Sequence, residues 1–314
     1  MDFISVVIKT ISFTSPILLI MFIGLFVSEI LIELGWMKRL EKIGKPLTSL
    51  SNLPKVCGVT FIAAIGSPTA ANTMLQDLRE NKVLTDKEVL LASLLNTTVV
   101  PIRETFTYHL PVILPALGLY VGMVYIGTLW LGTLVLLLFV IVCGKILLKD
   151  RNVDVDASVS VEEVAFEKSI GNATKKSLKR FGRIGFTFLS VTFAVFMLMN
   201  LGIIEKIEEY VIPFAKILNL PPIVFPPIAA YIASPLVGFS MIGSLIHSGV
   251  ITEKEAIISL LFGSIFMLPI LYLRFYFPQW ISIFGLRLGI LRGLTSMSLI
   301  MLTRIIILLI FIKF

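Results

Sequence analysis

Arg103-Glu104 is a pair of opposite charges set in an apolar neighbourhood, just after Pro101 and just before Thr107, Tyr108 and His109. Ionisable side chains at membrane depth are expensive to bury, and those that persist there mostly hold a charged solute or pass a proton. Glu104 is the one candidate for proton coupling. The competing reading puts the pair on a cytoplasmic turn, where water solvates both charges. Amides and hydroxyls form a second group. Thr69, Asn72 and Thr73 follow the break Gly66-Ser67-Pro68, Ser240 and Ser244 follow Ala233-Ser234-Pro235, and Asn96-Thr97-Thr98 comes between. Small hydroxylated residues also let membrane helices pack closely, so the stronger functional reading falls on Asn72 and Asn96, whose amides are costly to bury idle. Residues 256–314 contain no Asp or Glu, against Arg274, Arg287, Arg292, Arg304 and Lys313. Lining a cavity, these cations would favour an anion; at helix ends they would only anchor the protein. The candidate solute-binding set is Ser67, Thr69, Asn72, Asn96, Arg103, Glu104, Ser234, Ser240 and Arg274.

Other chemistries find little support. Cys57 and Cys143 are the only cysteines and His109 and His247 the only histidines, with no ligand-like spacing among them, so neither a disulfide framework nor a metal site is expected. No paired carboxylates and no Ser/His constellation stand out, so the chain does not read as an enzyme and needs no cofactor. The +7 net charge is carried largely by loops and helix ends, where positive-inside topology explains it without nucleic acid.

The elements that must position these residues are membrane helices. The chain is 57% hydrophobic and 15% charged, with a mean hydropathy of +0.97, whereas a soluble chain carries about a quarter charged residues. Apolar runs at 11–34, 110–148, 184–201 and 294–312 are of the length that crosses a bilayer, about 20 helical residues. The first run lacks a basic leader and a small-x-small exit, and reads as a span rather than a cleaved signal. The longest polar stretch, 149–183, is too short for a soluble core.

Set against itself at an offset of 167 residues, the sequence repeats. Leu34-Gly35 meets Leu201-Gly202, Asn52-Leu53-Pro54 meets Asn219-Leu220-Pro221, and Ser67-Pro68 meets Ser234-Pro235. Thr85, Lys87 and Glu88 meet Thr252, Lys254 and Glu255, and Pro111, Gly118 and Gly122 meet Pro278, Gly285 and Gly289. Shared apolarity would not align Pro, Asn, Thr, Lys and Glu in one register. Residues 1–148 therefore read as repeat A, 149–183 as a charged linker and 184–314 as repeat B, with about five membrane segments per half. The basic loop 34–55 follows the first span of half A, whereas the basic stretch 168–183 precedes the first span of half B. Placing both in the cytoplasm inverts one half against the other, and an odd number of segments per half requires the same. Arg287 and Arg292 also fall on the inside. Amphipathic helices are expected at 36–50 and 204–220, and chain breaks at Pro101, Pro111, Pro269 and Pro278. The matched Gly-x-x-x-Gly pairs are expected to be close-contact helix faces.

The Ser-Pro breaks matter most. Proline removes a backbone donor and frees a carbonyl in the preceding turn, and in hydrocarbon the freed groups must face protein or a wet cavity. Half-helices starting at Pro68 and Pro235 would bring two positive N-terminal ends toward the membrane middle, where discontinuous-helix transporters bind solute.

The order of parts resembles the gate, or nucleoside-recognition, domain found in concentrative nucleoside transporters, spore-maturation proteins and the membrane part of the bacterial ferrous-iron transport protein. The segment Gly66-Ser67-Pro68-Thr69-Ala70-Ala71-Asn72-Thr73-Met74-Leu75-Gln76-Asp77-Leu78 is similar to the small-residue–Pro–helix pattern of the spore-maturation members. The resemblance implies two gate units covering nearly all of the chain apart from the linker. The iron transporter uses Cys in its pore motifs, whereas Cys57 lies outside the break and aligns with Val224, and there is no Walker A motif. Nucleoside transporters bind through Asn, Gln and Glu in their hairpins; Asn72 fits this, but Phe239 stands at its matched position.

The expectation is an all-α polytopic membrane protein of two inverted-topology repeats with interrupted helices, in the cell membrane with the linker cytoplasmic. It moves a small polar or anionic solute, nucleoside-like or carboxylate, through a midplane site, with proton or sodium coupling and a homo-oligomer both open. Two alternatives stand beside it. One is an ion or divalent-metal pore, favoured if Met74, Met241 and the histidines face a cavity. The other is a non-transporting scaffold or partner subunit, favoured if the Ser-Pro breaks are packed shut.

Overall fold

The computed structural model describes residues 3–33, 41–148, 166–201 and 220–313, and among them the regular elements are all helical. The first half runs α1 (Phe3–Glu33), α2 (Glu41–Leu50), α3 (Val56–Gly66), α4 (Pro68–Glu80), α5 (Asp86–Thr97), α6 (Val99–Glu104), a π-helical stretch Thr105–Ile113, α7 (Leu114–Leu117) and α8 (Leu119–Leu147). The second runs α9 (Phe166–Asn200), a 3-10 turn Pro222–Val224, α10 (Phe225–Ala233), α11 (Pro235–His247), α12 (Glu253–Leu271), a π-helical stretch Tyr272–Tyr276, α13 (Phe277–Phe284) and α14 (Leu286–Lys313). α8, α12 and α14 are long and apolar enough to cross a membrane. On α8, Leu131, Leu134, Leu138 and Val142 are exposed at helical spacing, the face that an apolar solvent would cover.

Local chemistry explains the punctuation. Ser67 is extended (φ −149°, ψ 106°), its Oγ accepts the Ala70 N–H at 3.2 Å, and Pro68 takes the first helical position, where a missing N–H leaves nothing unpaired. Ser234 adopts nearly the same backbone (φ −152°, ψ 108°) ahead of Pro235. Thr85 and Thr252 each close a capping box with the Glu three residues on, and their N–H groups donate to Glu88 and Glu255 at 2.7 Å. This arrangement satisfies two end donors of α5 and of α12.

Near Pro101 the helix is interrupted at Thr98, between α5 and α6, but the chain does not break at Pro111, Pro269 or Pro278. Instead the helix widens. The Leu114 N–H donates to the His109 carbonyl and the Phe277 N–H to Tyr272, each five residues back. An i→i−5 turn makes room for a ring that cannot donate, so the helix bends without ending. Where the path does end, at Gly118 and Gly285, both residues have φ 83°, a region open essentially to glycine alone. The Gly-x-x-x-Gly pairs thus divide their roles: the first glycine turns the chain, and the second allows contact. A Cβ on Gly122 would stand 2.8 Å from Leu114, and one on Gly289 2.7 Å from Ile281.

Other expectations shift. The boundary drawn at residue 183 falls inside α9, which is continuous from Phe166 to Asn200 and lies along α1. Of the amphipathic helix expected at 36–50, the structure describes α2; its counterpart at 204–220 lies outside the described residues apart from Leu220.

Two apolar cores form, and each draws on both halves. Phe61, Leu75 and Leu95 pack with Trp280, Phe284 and Leu288 from the far end of the chain. Leu117 and Val121 pack with Ile228, Phe239 and Ile242. A smaller cluster joins Ile17 of α1 and Phe188 of α9 to Val112 and Ala116.

Gly118→Ala and Gly285→Ala should each lower stability by about 1–3 kcal/mol, because the forced φ persists whatever space surrounds the added methyl. Gly127→Ala, in mid-helix with nothing within 4 Å, should be neutral or stabilising by up to about 1 kcal/mol. Thermal unfolding of the three purified variants in one detergent checks this, and equal loss at all three positions would refute it.

Candidate functional site

The first turn of α4, the end of α5, α6, the middle of α8, the end of α12, α13 and α14 enclose a cavity of about 340 Å³. A second cavity, about 570 Å³, adjoins it. Pro101, Arg103, Glu104, Leu268, Leu271 and Arg304 line both and form a shared wall. Pro68 borders the first cavity and Pro235 the second, so the opening turn of each half-helix faces open space.

Arg292 dominates the first cavity. It projects from α14, the side chain is 3% exposed, and its guanidinium lies 3.6 Å over the Trp280 ring. Nη2 donates to Thr97 Oγ1 at 2.7 Å and to the Ser93 carbonyl at 3.2 Å, while Nε and Nη1 are buried without a partner. Arg304, on the same helix, is 5% exposed with Nη1 unpaired. Buried charges are normally paired. Here Arg103, Arg292 and Arg304 share the cavity lining with a single carboxylate, Glu104, which makes no ion pair within 4.0 Å among the described residues. Asn72 and Asn96 are buried, and the Oδ1 of each has no partner, although Asn96 Nδ2 donates to Thr60 at 3.3 Å. Tyr276 stacks on Trp280 at 5.1 Å, giving this wall a rigid aromatic face. The wall therefore contains guanidinium groups, and amide oxygens, whose hydrogen-bonding capacity the fold does not fully use.

Of the residues singled out from sequence, Thr69, Asn72, Asn96, Arg103 and Glu104 line the first cavity, and Thr69 accepts a hydrogen bond from Gln279. Arg103 reaches the Gly66 carbonyl at 3.5 Å, which ties the broken helix to α6. Ser67 is an exposed helix cap, and Ser234 holds the matching position with no side-chain cap bond. Ser240 is fully buried and donates back to Leu236 at 2.9 Å, a packing role. Arg274 lies in the π-helical stretch Tyr272–Tyr276, and its side chain is outside the described residues. Of Met74, Met241, His109 and His247, only His109 lines either cavity. Among the described residues, no group of three or more His, Cys, Asp or Glu side chains is placed to hold a metal ion.

The sequence left Arg292 and Arg304 open between a cavity lining and helix-end anchors; both line the first cavity, and Arg292 is no solvated helix end. The signal lay in α14 itself. Gly289, Gly293 and Ser296 mark its buried face, and Arg292 and Arg304 sit on that small-residue face, where an idle arginine would not be tolerated.

Residues 14–126 match the family model described as gate, nucleoside recognition. An uncharacterized protein of Methanocaldococcus jannaschii is 27% identical over 304 residues, which cover 96% of this chain and 98% of its own. A second uncharacterized protein from that organism is 28% identical over 273 residues, covering 85% and 84%. No solved structure matches the chain.

An unpaired buried amide oxygen costs about 1–3 kcal/mol. Asn72→Leu, which removes one, should therefore leave the thermal midpoint of the ligand-free protein unchanged or higher. A drop as large as that of a core truncation, about 2–5 kcal/mol, would mean that Asn72 is a structural residue.

Proposed function

We propose, for a membrane protein whose residues 14–126 are a gate domain of the nucleoside-recognition family, that it carries a small anionic solute across the cell membrane through the cavity lined by Arg292. The observation that carries this reading is Arg292 itself: it lines the cavity, lies over the Trp280 ring, and keeps two nitrogens, Nε and Nη1, buried without a partner. Burying such a group costs several kcal/mol, and a protein that only needed to pack its helices would gain by placing Met or Leu there. An anion completes the pairing. The orphan Oδ1 atoms of Asn72 and Asn96 favour a solute that also donates hydrogen bonds, so a neutral nucleoside-like molecule is the second reading.

The same reading takes the halves as inverted repeats. Several local matches support it: α4 and α11 each have 13 residues after an extended Ser, both capping boxes recur at the 167-residue offset, and both long final helices follow a glycine at φ 83°. With the linker in the cytoplasm, the two half-helix ends approach the shared wall from opposite sides. Rocking of one hairpin against the other would expose the cavities alternately. Glu104, on that wall, is the residue that would take up a proton, with sodium as the other coupling ion; a homo-oligomer is compatible with this scheme. Open space at both Ser-Pro breaks argues against a scaffold role, and the absence of Met74, Met241 and His247 from the cavity linings argues against a metal pore.

In detergent, the protein should be stabilised by small carboxylates or phosphate, by about 2.7 kcal/mol at a hundredfold excess over Kd. Arg292→Gln should abolish the response, and Arg292→Lys should weaken it, since an ammonium cannot reproduce the planar fork. Ligand-free Arg292→Met should be as stable as the parent or more so. Stabilisation by uridine or adenosine and by no anion would install the nucleoside-like reading instead. Silence from a well-folded protein toward every compound would favour the scaffold.

A further inference from the structure

The two cavities occupy matched places in the two halves, and their linings differ in kind. At the 167-residue offset Pro68 corresponds to Pro235, Asn72 to Phe239, Tyr276 to His109 and Arg292 to Tyr125, each pair divided between the two cavities. In the first cavity these positions supply an amide, the Tyr276 ring and a guanidinium. In the second they supply aromatic rings. Both arginines and the carboxylate that reach the second cavity belong to the shared wall; what it has alone is Thr107, Tyr108, His109, Tyr125, Phe239 and Met267, besides Pro235.

The rings are arranged edge to face. Tyr125 meets Phe239 at 5.1 Å with planes 77° apart, Tyr231 meets Phe239 at 5.2 Å, and His109 meets Tyr125 at 6.3 Å. The Tyr125 hydroxyl is already committed to Tyr231 at 3.0 Å, so it turns its ring rather than a free donor toward the space. Perpendicular ring edges around an open volume make favourable partners for one more aromatic ring. His109 Nδ1, buried and unpaired, adds one hydrogen-bonding position to that wall.

We infer that the two cavities are the two poles of one site, and that the solute is an aromatic acid: its anionic group lies by Arg292 and its ring lies among Tyr125, Phe239 and His109. Arg304 and Glu104, which line both cavities, stand between the two poles. The inference rests on the anion reading of the first cavity and adds the identity of the solute's body. It also gives the repeat a use beyond topology, because one ancestral pocket position has become a head-group site and its twin a ring site.

The test compares 3-phenylpropionate with propionate, which share a carboxylate and differ by a ring, by calorimetric titration of the full-length protein in detergent. The aromatic acid should bind at least about tenfold more tightly, the gain expected from burying most of a phenyl ring. Met267→Trp, which crowds the second chamber beside those rings, should reduce that preference. Phe239→Leu, which keeps the apolar volume and removes the ring edge, should reduce the preference, and it serves if the tryptophan variant does not fold. Equal affinities for the two acids in the parent protein would overturn the aromatic class while the anion site stands. If neither acid binds and phosphate also fails, the anion reading falls and this inference with it.

Discussion

Where a helix breaks and restarts, its last carbonyls and the next helix's first N–H groups lack helical partners, and hydrocarbon offers none. This constraint organises the protein. Pro68 and Pro235 can stand inside an apolar chain only because open volume adjoins each of them and because neighbouring side chains close the gaps, as Ser67 does for the Ala70 N–H and Arg103 for the Gly66 carbonyl. Once the breaks exist, the rest is constrained. The half-helices must turn back through short loops, the loops need strong helix starts, and the capping boxes at Thr85 and Thr252 supply them. The interrupted helix is thus a cause of the cavity and not an ornament upon it.

Charge follows from the same geometry. A cavity between half-helices has low dielectric and little water, so a guanidinium inside it keeps most of its field. Arg292 is steadied on one side by Trp280 and by two acceptors from α5. The other side is left uncommitted. Partial satisfaction of this kind is poor for stability and good for binding: the fold holds the group in place and leaves part of its hydrogen-bonding capacity for something else.

Much of this was legible in the sequence. The Ser-Pro breaks, the Thr-x-x-Glu helix starts and the paired glycines are each dictated by local backbone chemistry, and they appear where residue type alone puts them. Asn72, Asn96, Arg103 and Glu104 were also legible, because amides and charges stand out in apolar surroundings. What the sequence concealed was whatever depends on three-dimensional neighbours. Pro111 and Pro269 look like breaks, yet π-helical turns carry the chain onward, a choice set by packing and not by propensity. Ser240 looks like a binding residue and is spent on Leu236. Arg292 and Arg304 resemble helix-end anchors until α8, α12 and α13 are seen to close around them.

The exchange of apolar cores has a consequence for biogenesis. The α3–α4 hairpin finds its packing partners in Trp280, Phe284 and Leu288, which leave the ribosome some two hundred residues later than the hairpin does. During synthesis the first half therefore enters the bilayer with an unfinished core and an unfilled break. That core closes only when the last two helices arrive. A chain cut near its middle would yield two fragments that each display the surface the other was built to cover, and only co-insertion would let them find one another. Two halves that each need the other's side chains form, in this sense, one indivisible folding unit.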